Sequence, residues 1–351
     1  MKAFQNSQRS MLNWFLDVRS ELIDLEGSHR ALAIASHIAC GYQVLNVSPC
    51  ELAPTTITLK PFDRVAYLAE DRDYRLPIAE LYDFINGEMR EYVSHVILLS
   101  SLASMDYNRG WSDIDAFMVI KDTTACDGQK LNQLRNLCLV SGQFFRRVTP
   151  LQHHGFIVIT ESDLRSYPTS CMPPAVFERS LSLLKGVEKM SMIVQPGDLG
   201  ALHSLKERAN AARAALKSGE LRHHPYKGRY LRLRYRNADD SMYQLYCMLG
   251  YIMTVPAYLM DGLGRGCYKG DSFRLARTYF SNRAWAVIDK ASEIRRLWQE
   301  REGTAYRLNA IPEWVPSILG DNYFEEWLLL LDEAIMQIEA HIAINHKKES
   351  I

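Results

Sequence analysis

The chain has 351 residues, 47% of them hydrophobic and 23% charged, which suffices for a sizeable core and, at about 150 residues each, for two domains. Lys plus Arg and Asp plus Glu both number 41, and this zero net charge argues against a protein whose main task is to coat nucleic acid. The seven cysteines are odd in number, scattered and without a CxxC pair, so they form neither a zinc pattern nor a disulfide framework and suit a reducing, cytoplasmic compartment.

The opening segment, MKAFQNSQRSMLNWFLDVRSEL, has no uninterrupted apolar run, so no secretory signal is expected. Residues 8–39 read as two helices broken near Gly27, with Trp14, Leu22 and Leu25 on the first and Leu32, Ala35 and Ile38 on the second. Short β-like pieces follow at Tyr42–Val47 and Thr55–Leu59. Residues 77–93 carry Ile78, Leu81, Ile85 and Met89 at helical spacing, and Pro77 suits a first helical turn.

The most informative stretch is 97–120, ILLSSLASMDYNRGWSDIDAFMVI. An apolar strand ends in Ser100-Ser101, and a polar loop with Asn108 and Gly110 leads to Asp113, Ile114 and Asp115 and then to a second apolar run, Ala116–Ile120. Residues i and i+2 of a strand share a face, so the two carboxylates project side by side while Ile114 faces a core. Two adjacent anions both ionise comfortably only with a cation between them, and hard dications such as Mg²⁺ take one or two carboxylates plus phosphate oxygens. Further on, residues 128–142 read as a helix and Gly155–Thr160 as a strand, so strands alternate with helices across roughly 40–170, as in an α/β sheet domain.

After Pro173-Pro174 the character changes, and 175–190, 198–217, 240–262, 271–301 and 322–346 all read as helices, with Gly219 as the C-cap of the second. Met242–Met260 has no formal charge and nearly the length of a membrane span, but Gln244, four tyrosines, Thr254 and Pro256 make it a buried helix of a helical domain, and no membrane partner is expected. Arg222–Arg236, RHHPYKGRYLRLRYR, interleaves six Lys/Arg with three tyrosines, a pattern that serves RNA phosphates and stacked bases or, more blandly, a solvated linker.

The residues LSSLAS, the eleven-residue spacer from Ser101 to Asp113, and SDIDAFMVI resemble the polymerase-β-type nucleotidyltransferase superfamily. The layout, a sheet domain followed by helices, is similar to its small-molecule members, including the aminoglycoside-modifying ones. The fold class this implies is an α/β (α+β) mixed sheet domain followed by an α-helical bundle. It divides the chain into an N-terminal extension packed on the sheet (1–75), the nucleotidyltransferase-like domain (76–172) and the helical domain (173–351). The resemblance implies that Asp113 and Asp115 hold Mg²⁺ or Mn²⁺, that Ser100, Ser101 and the amides following them bind the triphosphate of an NTP, and that Lys269, among glycines at a helix start, reaches the γ-phosphate from the helical domain.

Two departures stand out. Ser100 occupies a turn position that is usually glycine, and the strand that should supply a third acid reads Gln152-His-His-Gly-Phe-Ile-Val-Ile-Thr160. Either a histidine substitutes (His153, or His154, which is taken as the catalytic one), or Glu161 or Asp163 reaches in from the strand end, or catalysis is impaired. The expected activity is transfer of NMP from an NTP to an acceptor hydroxyl on a small molecule, with release of pyrophosphate. The competing readings are transfer to tRNA or protein, with Arg222–Arg236 as the RNA contact, and a nucleotide-binding protein on a catalytically degenerate scaffold.

Overall fold

The computed structural model describes residues 2–17, 28–45, 52–149, 152, 154–167, 169, 172–194, 199–218, 220–222, 232–234, 242–301 and 311–349. They form a mixed α/β protein of two compact units, Met1–Pro168 with Phe177–Pro196, and Thr169–Val176 with Gly197–Ile351.

The first unit contains α1 (Lys2–Phe15), α2 (Ser28–Gln43), β1 (Thr55–Thr58), β2 (Lys60–Pro61), α3 (Arg64–Tyr67), α4 (Arg72–Phe84), β3 (Val93–Leu98), α5 (Ser100–Ser104), β4 (Ala116–Ile120), α6 (Asp122–Ala125), α7 (Gly128–Val148), β5 (Phe156–Thr160), α8 (Glu161–Leu164), β6 (Leu181–Ser182) and β7 (Lys189–Met192). Five strands form one sheet in the order β2-β6-β3-β4-β5, and β1 pairs separately with β7. β3 runs antiparallel to β4, with Leu98 opposite Ala116, and β4 runs parallel to β5, with Ala116 opposite Phe156. Every residue of β4 is buried, as a central strand covered on both faces requires.

Val96, Leu98, Ala116, Met118, Phe156 and Val158 join one core with Ile78, Leu81 and Ile85 of the α4 region and with Leu131, Leu134, Cys138 and Phe145 of α7. On the other face Phe117 meets Phe177 edge-on, with ring centroids 5.1 Å apart. β5 lies at the sheet edge, where unpaired backbone groups would be a liability, and α1 covers it. The Asn13 carboxamide donates to Val158 O (2.7 Å) and accepts from Val158 N (2.9 Å), standing in for a neighbouring strand. Beyond it the buried Arg9 guanidinium pairs with Asp163 at 3.2 Å, and Asp163 in turn accepts from Thr160 N to cap α8.

Several elements differ from the sequence reading. Residues 175–190 are not a helix. A 3-10 turn over Pro174–Arg179 leads into β6, and β7 follows. In β7 Met190 and Met192 are buried while Lys189 and Ser191 are exposed, a period of two that the apolar Leu181–Leu184 run obscures, and Gly186 (φ +77°) turns the chain between the strands. These strands join the first unit, so 173 does not mark a clean passage to helices. α4 starts at Arg72, and Pro77 therefore lies inside it; buried Tyr74 and Arg75 anchor the extra turn although Pro77 cannot donate to the carbonyl four residues back. Tyr42 and Gln43 end α2 and are not β. Leu22, Leu25, Gly27 and Gly219 lie outside the described residues.

The second unit contains β8 (Glu220–Arg222), β9 (Arg232–Arg234), and the helices α9 (Gly200–Ser218), α10 (Met242–Gly262), α11 (Lys269–Ala276), α12 (Asn282–Arg301), α13 (Trp314–Leu319) and α14 (Tyr323–Glu349). α9, α10, α12 and α14 pack on one another around Leu249, Ile252, Val255, Leu259, Ile288, Trp327 and Leu331. The guanidinium of Arg208 lies over the rings of Tyr251 (4.8 Å) and Tyr258 (4.6 Å), joining α9 to α10. Among the described residues no helix is long and apolar enough to cross a membrane. Of the basic segment Arg222–Arg236, β8 and β9 pair antiparallel, with Arg222 opposite Arg232, and the rest lies outside the described residues.

Arg9→Ala leaves the Asp163 carboxylate buried without its guanidinium, and the expected loss is about 3 kcal/mol of unfolding free energy. Urea denaturation of the variant beside Arg9→Ala/Asp163→Asn checks this, because the double variant should recover part of the loss.

Candidate metal centre

The end of β3, the segment before β4 and the segment before β5 lie side by side, because β3 is antiparallel and β5 parallel to β4. Asp113 and Asp115 fall just ahead of β4, yet strand-like pairing continues past its end. On one side Leu99 N donates to Asp115 O at 2.8 Å. On the other, the buried Gln152 carboxamide accepts from Ile114 N at 3.1 Å and donates to Ile114 O at 3.0 Å. Ile114 is therefore fixed in the core, and the aspartates flanking it face the opposite way, as strand alternation requires.

They converge on His154. Its Nε2 lies 3.0 Å from Asp115 Oδ1 and 3.4 Å from Asp113 Oδ2, and its Nδ1 lies 2.9 Å from Gly155 O. Gln152 Nε2 also donates to His154 O at 2.8 Å, so one amide ties the aspartate segment to the histidine segment. One ligand atom from each of the three side chains lies within 4.8 Å of the other two. Burial pushes the His154 imidazolium toward losing its proton, but hydrogen bonds and charge from Asp113 and Asp115 outweigh it and raise the pKa from 6.5 to about 10.

α5 is a single turn bracketed by left-handed residues, Ser100 (φ +56°) and Met105 (φ +67°). Ser100 thus adopts the backbone conformation that glycine would favour there, and Ser104 Oγ donates to its carbonyl at 3.0 Å. Because Leu99 pairs with Asp115, the Ser100-Ser101 turn adjoins the aspartates. The loop between is held from α3 and α4: Tyr67 Oη donates to Leu102 O (3.0 Å) and Tyr74 Oη to Ser112 O (2.9 Å), while Tyr107 Oη donates to Asp71 (2.6 Å) and accepts from Arg75 Nε (3.0 Å).

Two of the other sequence candidates lie elsewhere in the first unit. Glu161 and Asp163 follow β5, at the opposite end of the strand from His154. Glu161 accepts from Asp122 N there and Asp163 pairs with Arg9, so neither reaches the aspartates. His153 lies outside the described residues. Lys269 begins α11 in the second unit, whereas the triad is built within the first. The sequence gives Gln152 no role, because nothing in a strand-leading Gln-His-His announces that the amide, and not a backbone, pairs with Ile114.

In metal-free protein His154 is protonated in both folded and unfolded states below pH 6.5, where its contribution is fully present. The unfolded imidazole loses its proton first on going up in pH, so this stability is lost progressively as pH rises through about 10. Urea midpoints should therefore fall over that window in the wild type, and His154→Gln should flatten the decline. Ser100→Gly removes a left-handed cost of about 1–2 kcal/mol against the greater unfolded-state freedom of glycine, for an expected gain of up to about 1 kcal/mol in thermal unfolding.

No family model, curated protein or solved structure matches this chain.

Proposed function

We propose that the protein is a nucleotidyltransferase that moves NMP from an NTP to an acceptor hydroxyl and releases pyrophosphate, with a divalent cation, Mg²⁺ or Mn²⁺, at Asp113, Asp115 and His154. The observation that carries the reading is the convergence of two carboxylates and one imidazole nitrogen beside a tight turn that follows a strand. The donor set fits a dication: octahedral neighbours about 2.1 Å from an ion stand about 3 Å apart, close to the His154–Asp115 separation of 3.0 Å. When bound, such an ion supplies Lewis-acid neutralisation of charge at the transferred phosphorus.

The chain's own groups supply the rest. Ser100 and Ser101 open a helical turn whose first amides lack intrahelical acceptors, and these and the hydroxyls suit phosphate oxygens. The acceptor oxygen bonds to the α-phosphorus, the bond from that phosphorus to the pyrophosphate oxygen breaks, and the acceptor's proton passes to Asp115, the more exposed aspartate. Both ring nitrogens of His154 are engaged, one with Gly155 O and one with the carboxylates, so His154 serves as ligand in preference to base. Gln152 keeps both segments in register, and catalysis is mainly positioning and electrostatics. A small-molecule acceptor is the first choice, with RNA through Arg222–Arg236 the competing one. A second reading, nucleotide binding without turnover, draws on the same His154, whose imidazolium can neutralise both aspartates without a metal.

Incubation of the full chain with each α-labelled NTP, Mg²⁺ or Mn²⁺ and a cell extract should yield a labelled acceptor and free pyrophosphate. Asp113→Asn and Asp115→Asn should each reduce the transfer by about 10²–10³-fold or more. Saturable NTP binding with no pyrophosphate release under any of these conditions would leave the binding protein as the correct reading.

A further inference from the structure

His154 sets this centre apart from an all-carboxylate one. A carbonyl oxygen can only accept, so at 2.9 Å from Gly155 O the Nδ1 atom carries a proton and donates it. The other nitrogen is thereby turned to Asp113 Oδ2 (3.4 Å) and Asp115 Oδ1 (3.0 Å). Without a metal a proton on Nε2 bridges to these oxygens, and a dication held by the three groups would displace that proton and take the nitrogen lone pair. A backbone carbonyl that fixes the ring and its tautomer in this way is the usual outer support of a metal-ligating histidine. The support goes further: His154 is buried, and Gln152 Nε2 holds its carbonyl at 2.8 Å. The ring is preset with Nε2 pointing into the space the aspartates share.

The donor atoms choose among metals. Mg²⁺ is hard, gives up water reluctantly and favours oxygen. Carboxylates suit Mg²⁺, Ca²⁺ and Mn²⁺, whereas imidazole suits first-row transition ions. Mn²⁺ belongs to both groups and accepts two carboxylate oxygens and one imidazole nitrogen together. We infer that Asp113, Asp115 and His154 form a site selective for a first-row transition dication of the Mn²⁺ type over Mg²⁺, with His154 Nε2 as the selecting ligand. This rests on the reading of the triad as a metal centre and requires no turnover.

Mn²⁺ added to the full chain and followed by electron paramagnetic resonance, with Mg²⁺ as competitor, tests it. Spin-echo spectra of bound Mn²⁺ should show modulation from one directly coordinated ¹⁴N, lost in His154→Gln. The Mn²⁺:Mg²⁺ affinity ratio should fall about tenfold or more in that variant. Should His154→Gln fail to fold, as judged by circular dichroism, the ¹⁴N signal of the wild type decides alone. Bound Mn²⁺ without ¹⁴N coupling, an affinity ratio unchanged by His154→Gln, or no Mn²⁺ bound to folded wild type each overturns the inference. Nitrogen-ligated Mn²⁺ in a protein that transfers no nucleotide would sink the enzyme reading and leave this one standing. Transfer with Mg²⁺ and no ¹⁴N coupling would do the reverse.

Discussion

Electrostatic crowding among three buried or half-buried side chains governs the first unit. Two aspartates one residue apart face the same way because Ile114 between them is drawn into the core. The two carboxylates so placed repel each other, and the third group at the site is a histidine whose Nε2 is within 3.4 Å of each. The geometry is held by backbone, not by the charged groups themselves: Leu99 on one flank and the Gln152 amide on the other keep the aspartate segment straight past the end of β4. The arrangement of the three side chains is thus fixed by the backbone around them.

Strain is found at the same place. Ser100 takes a left-handed backbone beside the aspartates, and the loop that follows is pinned by tyrosine hydroxyls donating to main-chain carbonyls at Leu102 and Ser112. Two of the three described non-glycine residues with positive φ, Ser100 and Met105, bracket α5, and the third, Asp71, accepts from Tyr107 of the same loop. Such conformations persist where the surroundings over-determine them, and here the surroundings are the α3–α4 layer.

How much of this is legible in the sequence depends on whether the signal is local. The apolar run of β4, the periodic face of α7 and the alternation around Ile114 are local patterns, and the elements follow them. The strands after Pro174 were hidden because β6 has only two residues and derives its identity from partners far away in the chain, Ile97 and Leu98. Pro77 misled because burial of Tyr74 and Arg75 outweighs the helix start it signals. Which group joins the aspartates was open among four candidates, since β5 could present either end. The parallel pairing with β4 decides it, bringing the residues before β5 to the aspartates and sending Glu161 and Asp163 to the far end. Pairing of that kind is a long-range property that no short window contains.

The parallel pairing of β4 and β5 has a further consequence through α1. Sliding β5 by one residue along β4 would turn every side chain of that strand to the opposite face and carry the imidazole away from the aspartates. Val158 lies in the middle of β5 and is gripped through both its N–H and its carbonyl by Asn13, while Arg9 holds the far end through Asp163. The amino-terminal helix therefore acts as a ratchet stop. By fixing the strand's phase, it sets whether Asp113, Asp115 and His154 come together at all, from a distance and without contributing an atom to the cluster.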